Sequence, residues 1–390
     1  MHVLLIWMVI LAMCSDLVWS QGSEVEGAPK KTKGKARQAN LKNLVALAML
    51  DLPPPNLQPA PGYGEHHFGG DAIFSAAMDT TSMRHDAMRF VGSLRRSGYM
   101  GDIVLAVLPG SRQDFMDALK EKDCIVYIVQ PQCEGDSHDK KCRFEGQSRN
   151  EAFSINMVRF YLYKWWAQKY LSDSRIILAD FRDVFFQQDP FKWPKLNRNA
   201  DMQVFLENHP TKVINRCPFN NGWIENCYGS KAIEIVGTHT VSCSGVSLGK
   251  RDAVLAYTHL MLAQLSPRVR MEYQEENPTV EDSKNSRSCI SLGMDQGFHN
   301  WLLYSGQLAR YMDVMIFPNG DGLVNTLGSL KGGRAPLKWT LEEWGILKTG
   351  KTGLTSVHNW DGDISPIVHQ ADRWSEGVLY QTLAAFYKLI

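Results

Sequence analysis

Between residues 72 and 179 the chain alternates short apolar runs with helix-length segments, and this alternation constrains the fold more than any other feature. Ala72–Ala77, broken only by Ser75, reads as a strand, and Ile103–Leu108, Cys124–Val129 and Ile176–Ala179 are continuous apolar runs of strand length. Runs that are apolar beyond every second position belong to strands buried on both faces. Between them, Ser82–Arg96 places Met83, Ala87, Phe90, Val91 and Leu94 on one helical face. Arg112–Lys122 groups Phe115, Met116 and Leu119, and Asn150–Tyr170 reads as a long, aromatic-rich helix. Strands and helices of these lengths in alternation imply crossover units, hence an α/β fold with a mostly parallel central sheet flanked by helices. Ligands in such sheets bind beyond the carboxyl ends of the strands.

The chain has 390 residues, enough for one large domain. Its 42 basic and 41 acidic residues leave a net charge of +1. That balance lacks the basic excess that nucleic acid demands, so no nucleic-acid partner is expected. Val3–Met13 is apolar but too short to span a bilayer as a helix, and Val18 and Ser20 fit the small-residue pattern of a cleavage site before Gln21. Residues 1–20 therefore read as a signal peptide or an uncleaved signal anchor. Both place the chain in the secretory pathway, in the Golgi or ER lumen or secreted, with membrane contact only through that segment. Residues 21–62 read as a stem. They hold the basic run Lys30–Arg37, one apolar stretch (Leu41–Leu50) and Pro53, Pro54, Pro55, Pro59 and Pro61. The body of the protein then spans residues 63–390.

Seven of the eight cysteines lie beyond the leader. Cys133 and Cys142 flank one polar loop and Cys217 and Cys227 another, while Cys243 and Cys289 lie near the carboxylate motifs. In an oxidising lumen these can form three bridges and leave Cys124 as a buried thiol, although sequence does not fix the connectivity. No CxxC pair suggests structural zinc. The one Asn-x-Thr triplet, Asn277-Pro278-Thr279, is blocked by its proline.

The chemistry concentrates after the fourth strand, in Arg175-Ile-Ile-Leu-Ala179-Asp180-Phe181-Arg182-Asp183-Val184-Phe-Phe-Gln-Gln-Asp189-Pro-Phe191. Carboxylates at the end of a buried strand are costly unless they bind something. A hard divalent cation bridging a diphosphate is the natural ligand, with manganese the first expectation and magnesium the second. The bland alternative is a helix cap by Asp180 and a surface pair between Asp183 and Arg182. Dehalogenase-type phosphotransfer fits less well, because it uses an Asp-x-Asp after the first strand.

This segment resembles the T-D-x-R-D-V-x-F-Q-x-D-P-F signature of a eukaryotic family of GT-A-fold glycosyltransferases. Three further segments match in order. Val241-Ser-Cys-Ser244-Gly245-Val246-Ser-Leu-Gly249 is similar to the family's Ser-Gly-Val strand. Met294-Asp295-Gln296-Gly-Phe-His-Asn300 is similar to the Asp-Gln-x-x-x-Asn motif of glycogenin-like transferases. Ile367-Val-His369-Gln-Ala371-Asp-Arg373 resembles a terminal Val-His-Gln-x-Asp-Arg, with Ala371 where an aromatic is usual.

The resemblance implies a metal-dependent transferase that moves a sugar from a nucleoside-diphosphate donor to a glycan, protein or lipid acceptor. It implies Asp180, Asp183 and His369 as metal ligands, with His358 a second histidine candidate. Asp295, with Gln296 beside it, would stand at the anomeric carbon, unless Asp295 merely caps its helix. Ser244 and Gly245 would let the strand approach the donor sugar. Arg159 and Arg182 would contact the donor, and Arg84 is a further basic candidate. The glycogenin-like motif tilts the expectation toward retention of configuration. Trp223, Trp301, Trp360 and Trp374 lie in or beside these segments, where aromatic rings either stack on sugars or fill cores. Two rival readings are a carbohydrate-binding protein without catalysis and a lumenal interaction protein that uses the basic stem.

Overall fold

The computed structural model describes residues 30–373, except 52, 55, 136–140, 145–152, 210, 267–268, 271–288, 290–292, 331–337 and 352–354. The leader, Asn277 and Trp374 lie outside the described residues. The first strands are β1 (Ala72–Ala77), β2 (Asp102–Val107) and β3 (Ile125–Ile128), followed by a small antiparallel sheet of β4 (Gln132–Glu134), β5 (Lys141–Arg143) and β6 (Phe153–Ser154). Next come β7 (Arg175–Ala179), β8 (Val184–Phe186), β9 (Met202–Leu206), β10 (Ser242–Lys250) and β11 (Val314–Phe317). The chain closes with β12 (Val324–Thr326), β13 (Leu347–Thr349), β14 (Thr355–Val357) and β15 (Ile367–His369).

The central sheet has seven strands in the order β11-β9-β10-β7-β1-β2-β3. Only β10 runs antiparallel to its neighbours, so the sheet is mostly parallel. β2 is buried along its whole length, as an aliphatic strand covered on both faces must be. One face packs against the helices Val158–Ala167, Arg251–Ala263 and Met294–Tyr304, around Phe74, Phe160, Tyr163 and Trp166. The other face packs under Phe90, Phe115 and Phe186. Truncating one such aromatic costs about 3–5 kcal/mol. A second sheet, in the order β12-β15-β8, lies beside the end of β7.

Three expectations change. The first concerns the stem. Lys30–Leu50 is a 21-residue helix, not a tether. It is rich in Lys, Ala and Leu and free of proline until Pro53, so it meets no helix breaker. Leu44 and Ala48, four residues apart on one face, are buried in the core. Arg37 pairs with Asp313 at 3.2 Å, and Gln168 Nε2 donates to the Ala48 carbonyl at 2.8 Å.

The second change is the helix expected from Asn150, which begins only at Val158. Phe153 instead pairs with Cys142 in β6, where strand pairing overrides the helical pattern. The third is the disulfides. Cys133–Cys142 forms across β4 and β5, but the second bridge is Cys227–Cys289. Cys124, Cys217 and Cys243 are unbridged. Cys217 takes the cap position of the helix Pro218–Tyr228, where its sulfur accepts from Asn220 Nδ2 at 3.2 Å, and Cys243 lies in β10 beside the carboxylate motifs.

Candidate active site

Strand geometry builds the site. β7 ends at Ala179, so Asp180 emerges at the carboxyl end of the sheet. Its N–H donates to the Gly245 carbonyl at 2.7 Å, which ties it to β10. Asp183 comes next, immediately before β8. β15 runs antiparallel to β8 with His369 opposite Val184, and this register sets His369 against Asp183. Gln370 adopts a left-handed φ of 55° and donates its N–H to the Asp183 carbonyl at 2.8 Å. Gln187 fastens the strands: its side chain bonds to Val357 and to the Ser365 carbonyl at 2.7–2.9 Å. The tail of the motif is structural, since Asp189 caps the turn at Phe191.

The result is a cluster of Asp180, Asp183 and His369 whose ligand atoms all lie within 4.8 Å of one another. His369 is 1% exposed, and its Nε2 lies 3.5 Å from Asp183 and 3.8 Å from Asp180. Neither ring nitrogen has a hydrogen-bond partner. An orphaned buried nitrogen facing two carboxylates is costly, and it is the arrangement a bound cation would satisfy. Gly245 keeps the space open. A Cβ there would stand 2.5 Å from His369 Cε1 and 2.7 Å from Asp180 Oδ2. One nitrogen and two carboxylates form a donor set that suits manganese and also accepts magnesium. The residues therefore fit a divalent metal.

With no cation bound, the two carboxylates draw a proton onto His369, and a metal would have to displace it. Burial opposes charge on Asp183, but His369, Arg182 and Arg373 outweigh it and hold Asp183 down to about 2. Burial also opposes charge on His369, yet Cys243 and the two carboxylates raise it above its ordinary value. Burial pushes the Cys243 thiol up, so at neutral pH it is uncharged and the carboxylates dominate.

Beside the cluster lies a cleft of about 390 Å³ lined by Asp180, Asp183, Ser244, Asp295, Gln296 and Arg159, among others. Arg159 bridges two motifs, donating to Asp180 from one nitrogen and to Asp295 from another. Burial alone would weaken its charge, but both carboxylates hold it firmly protonated. Ser244 Oγ donates to Asp295 at 3.0 Å, and Asn156 Nδ2 approaches the other Asp295 oxygen at 3.4 Å. Asp295 sits in the first helical turn, and Gly293 at φ 85° takes the cap position. Asn300 bonds both backbone groups of Ser242 at 2.8–2.9 Å and so fixes this helix to β10. Gln296 lines the cleft and donates to Asn220 at 3.1 Å.

Several sequence-stated roles move. Arg182 is 71% exposed and pairs with Asp372 at 3.1 Å, with Asp183 4.0 Å away, so it points away from the cleft that Arg159 occupies. Arg84 pairs with Glu121 at the surface. His358 bonds Ser356 Oγ and the Gly362 carbonyl at 2.7–2.8 Å, which fixes a loop. Asp180 caps no helix. Gly245 clears space beside His369 and Asp180. Trp301 is buried in the core, and Trp223 lines the cleft.

Asn156, Gln370 and Arg373 also line the cleft without having been assigned roles from sequence. Glu207 is a further buried carboxylate, pushed up by burial. It directly follows β9, as Asp180 follows β7, and that position was its legible signal.

No protein-family model and no curated protein matches the chain. Among solved structures it is similar to a crystal structure of the galactosyltransferase LgtC in complex with donor and acceptor sugar analogs. The identity is 10% and the TM-score 0.42, over 80% of this chain and 95% of that one. A structure of an active-site mutant of LgtC gives the same identity and TM-score, over 81% and 95%. No helix among the described residues is long and apolar enough to cross a membrane.

Proposed function

We propose that the protein is a metal-dependent glycosyltransferase of the secretory pathway, acting with retention on a nucleoside-diphosphate sugar and a glycan acceptor. The observation that carries this reading is the orphaned, buried His369 nitrogen aimed at Asp180 and Asp183 on the edge of a polar cleft. Asp180, Asp183 and His369 would hold a divalent cation, manganese for preference. A bound cation there would supply Lewis-acid neutralisation of the charge that builds on a departing diphosphate.

The chain's own groups do the rest. Arg159 fixes Asp295 relative to Asp180, so the third carboxylate keeps a set position beside the cluster. Ser244 and Asn156 orient it from two other sides. Asp295 would then offer negative charge to an anomeric carbon with oxocarbenium character. The bond from that carbon to the diphosphate oxygen breaks, and its bond to the acceptor oxygen forms. The acceptor proton passes to the departing diphosphate. Of the three carboxylates lining the cleft, two belong to the metal cluster and the third is engaged by Arg159, which supports retention over base-assisted inversion.

The test is a manganese-dependent binding and hydrolysis screen of the full chain against UDP- and GDP-sugars. Release of a nucleoside diphosphate from one donor, with the substituent's configuration retained in the product, is the expected result. Absence of manganese-dependent UDP or GDP binding would overturn the reading. Binding without turnover across donors and acceptors would leave the protein a carbohydrate-binding relative without catalysis.

A further inference from the structure

The helix Pro218–Tyr228 supplies one wall of the cleft, and its aromatic residues have no role in the chemistry described so far. Trp223 lines the cleft with Asp295 and Gln296. Two glycines make room for it. A Cβ on Gly293 would collide with the indole, with Cη2 at 2.7 Å, and a Cβ on Gly297 would stand 2.9 Å from Trp223 Cβ. The turn that introduces Asp295 is therefore shaped around Trp223. One turn earlier on the same helix, Phe219 is 71% exposed. Its ring lies 6.0 Å from that of Trp223, tilted by 35°. The two rings form a ledge running from the cleft to the surface.

A ring as exposed as Phe219 contributes nothing to a core. A ledge of two aromatic faces beside neutral hydrogen-bonding groups suits a pyranose, whose C–H face stacks while its hydroxyls find polar partners. Gln296 is such a partner, an uncharged side chain that lines the cleft, and buried Asn220 holds it from behind by accepting from its Nε2 at 3.1 Å. The order of contacts sets the direction. They run from the Asp180 cluster to Arg159, from Arg159 to Asp295, and from the turn before Asp295 to Trp223. A donor with its diphosphate at the cluster and its sugar at Asp295 would place the nucleoside away from Trp223. The ledge then lies beyond the donor sugar, where an acceptor enters.

We propose that Trp223 and Phe219 form the acceptor platform, stacking a neutral pyranose ring of a glycan. The direction of approach rests on the glycosyltransferase reading above, whereas the binding of a pyranose to the ledge does not. The experiment uses the full chain as wild type, Trp223→Ala, Trp223→Phe and Phe219→Ala. Each is titrated by saturation-transfer NMR with neutral trisaccharides (malto-, cello-, chito-, manno- and galacto-), with and without manganese and UDP or GDP. At least one trisaccharide is expected to bind wild type. We expect Trp223→Ala to weaken it about 10-fold or more and Phe219→Ala about 3-fold, with Trp223→Phe near wild type, as loss of one stacking face predicts. Manganese-dependent nucleotide binding stays unchanged in all four.

Three results would overturn the platform. These are no trisaccharide binding to wild type, binding that survives both alanine variants, and parallel loss of nucleotide binding in Trp223→Ala with none in Phe219→Ala. The exposed Phe219 keeps the test open if Trp223→Ala fails to fold. Trisaccharide binding that needs the ledge, without any nucleotide binding, would instead refute the transferase reading and leave the platform standing.

Discussion

Each end of the central sheet carries a buried carboxylate with histidines against it, yet among the described residues only one of the two groups holds a histidine without hydrogen bonds. At the amino end, Asp102 is 3% exposed. One of its oxygens accepts from the Tyr170 hydroxyl at 2.6 Å and the other bonds His67 Nδ1 at 2.8 Å. His66 is held between the Tyr170 and Tyr127 hydroxyls at 3.0 and 2.8 Å. At the carboxyl end, both nitrogens of His369 lack partners and two carboxylates converge on the same space. Residue types alone do not separate these clusters. Satisfaction does: the first is a bonded network that ties β2 and β3 to the loops before β1 and β7, and the second leaves both ring nitrogens of a buried histidine without a hydrogen bond.

The sharpest way to break this comparison is to remove one acid from each end. Asp183→Ala is expected to weaken manganese binding and donor turnover at least about 100-fold, since losing even an outer partner of a metal site costs 10- to 100-fold. Asp102→Asn is expected to leave both unchanged and to lower unfolding stability by about 1–3 kcal/mol, the penalty for buried groups left unmatched. Calorimetric manganese titration and urea unfolding read the two effects separately. Manganese binding retained by Asp183→Ala, or lost in Asp102→Asn, would erase the distinction.

Glycines sharpen the comparison at smaller scale. Gly245 backs the Asp180–Asp183–His369 cluster, and Gly101 backs the amino-end network, where a Cβ would stand 2.6 Å from the Asp71 carbonyl. Gly245→Ala pushes on His369 and Asp180 and is expected to weaken manganese binding about 10- to 100-fold, as small misplacements in a site do. Gly101→Ala meets backbone and is expected to cost about 1–3 kcal/mol of stability by overpacking, with manganese affinity intact. Equal stability losses with no change in affinity would show that Gly245 is merely a packing glycine.

Much of the carboxyl end was legible because Asp180 and Asp183 follow an apolar strand, where an acid is expensive without a ligand. Asp295 and His369 came through resemblance, and local register then placed them: His369 opposite Val184, and the Asp295 helix pinned by Asn300. Arg159 was legible only as a loose basic candidate. Its role depends on carboxylates 21 and 136 residues away meeting at one guanidinium, which no local pattern encodes. Arg182 was misplaced because spacing does not say which way a side chain points between two acids. The Lys30–Leu50 helix was hidden by its basic run and the prolines after it, although the Leu44–Ala48 face was there to read. The Cys227–Cys289 bridge joins segments 62 residues apart, beyond any inference from flanking positions. Nothing in the composition of the amino-end network marks it as satisfied, because satisfaction is a property of the hydrogen bonds.

The smallest expected effect concerns pH and tests that network. Burial is the main influence on His66 and moves its pKa from an ordinary 6.5 to about 4, while neighbouring Asp102 pulls the other way. Folded His66 therefore stays neutral until about pH 4, whereas the unfolded chain takes up its proton near the ordinary value. Between those two limits the unfolded state binds the extra proton. Stability therefore falls as pH drops from about 6.5 to about 4, and this contribution levels off below that. His66→Gln removes the titrating group, so its urea midpoint should change less across that window than that of the wild type, even if it starts lower at neutral pH. His369, raised rather than lowered by its surroundings, has no part in this slope. A wild-type slope that survives His66→Gln unchanged would mean that the amino-end network is not the bonded, neutral one described here.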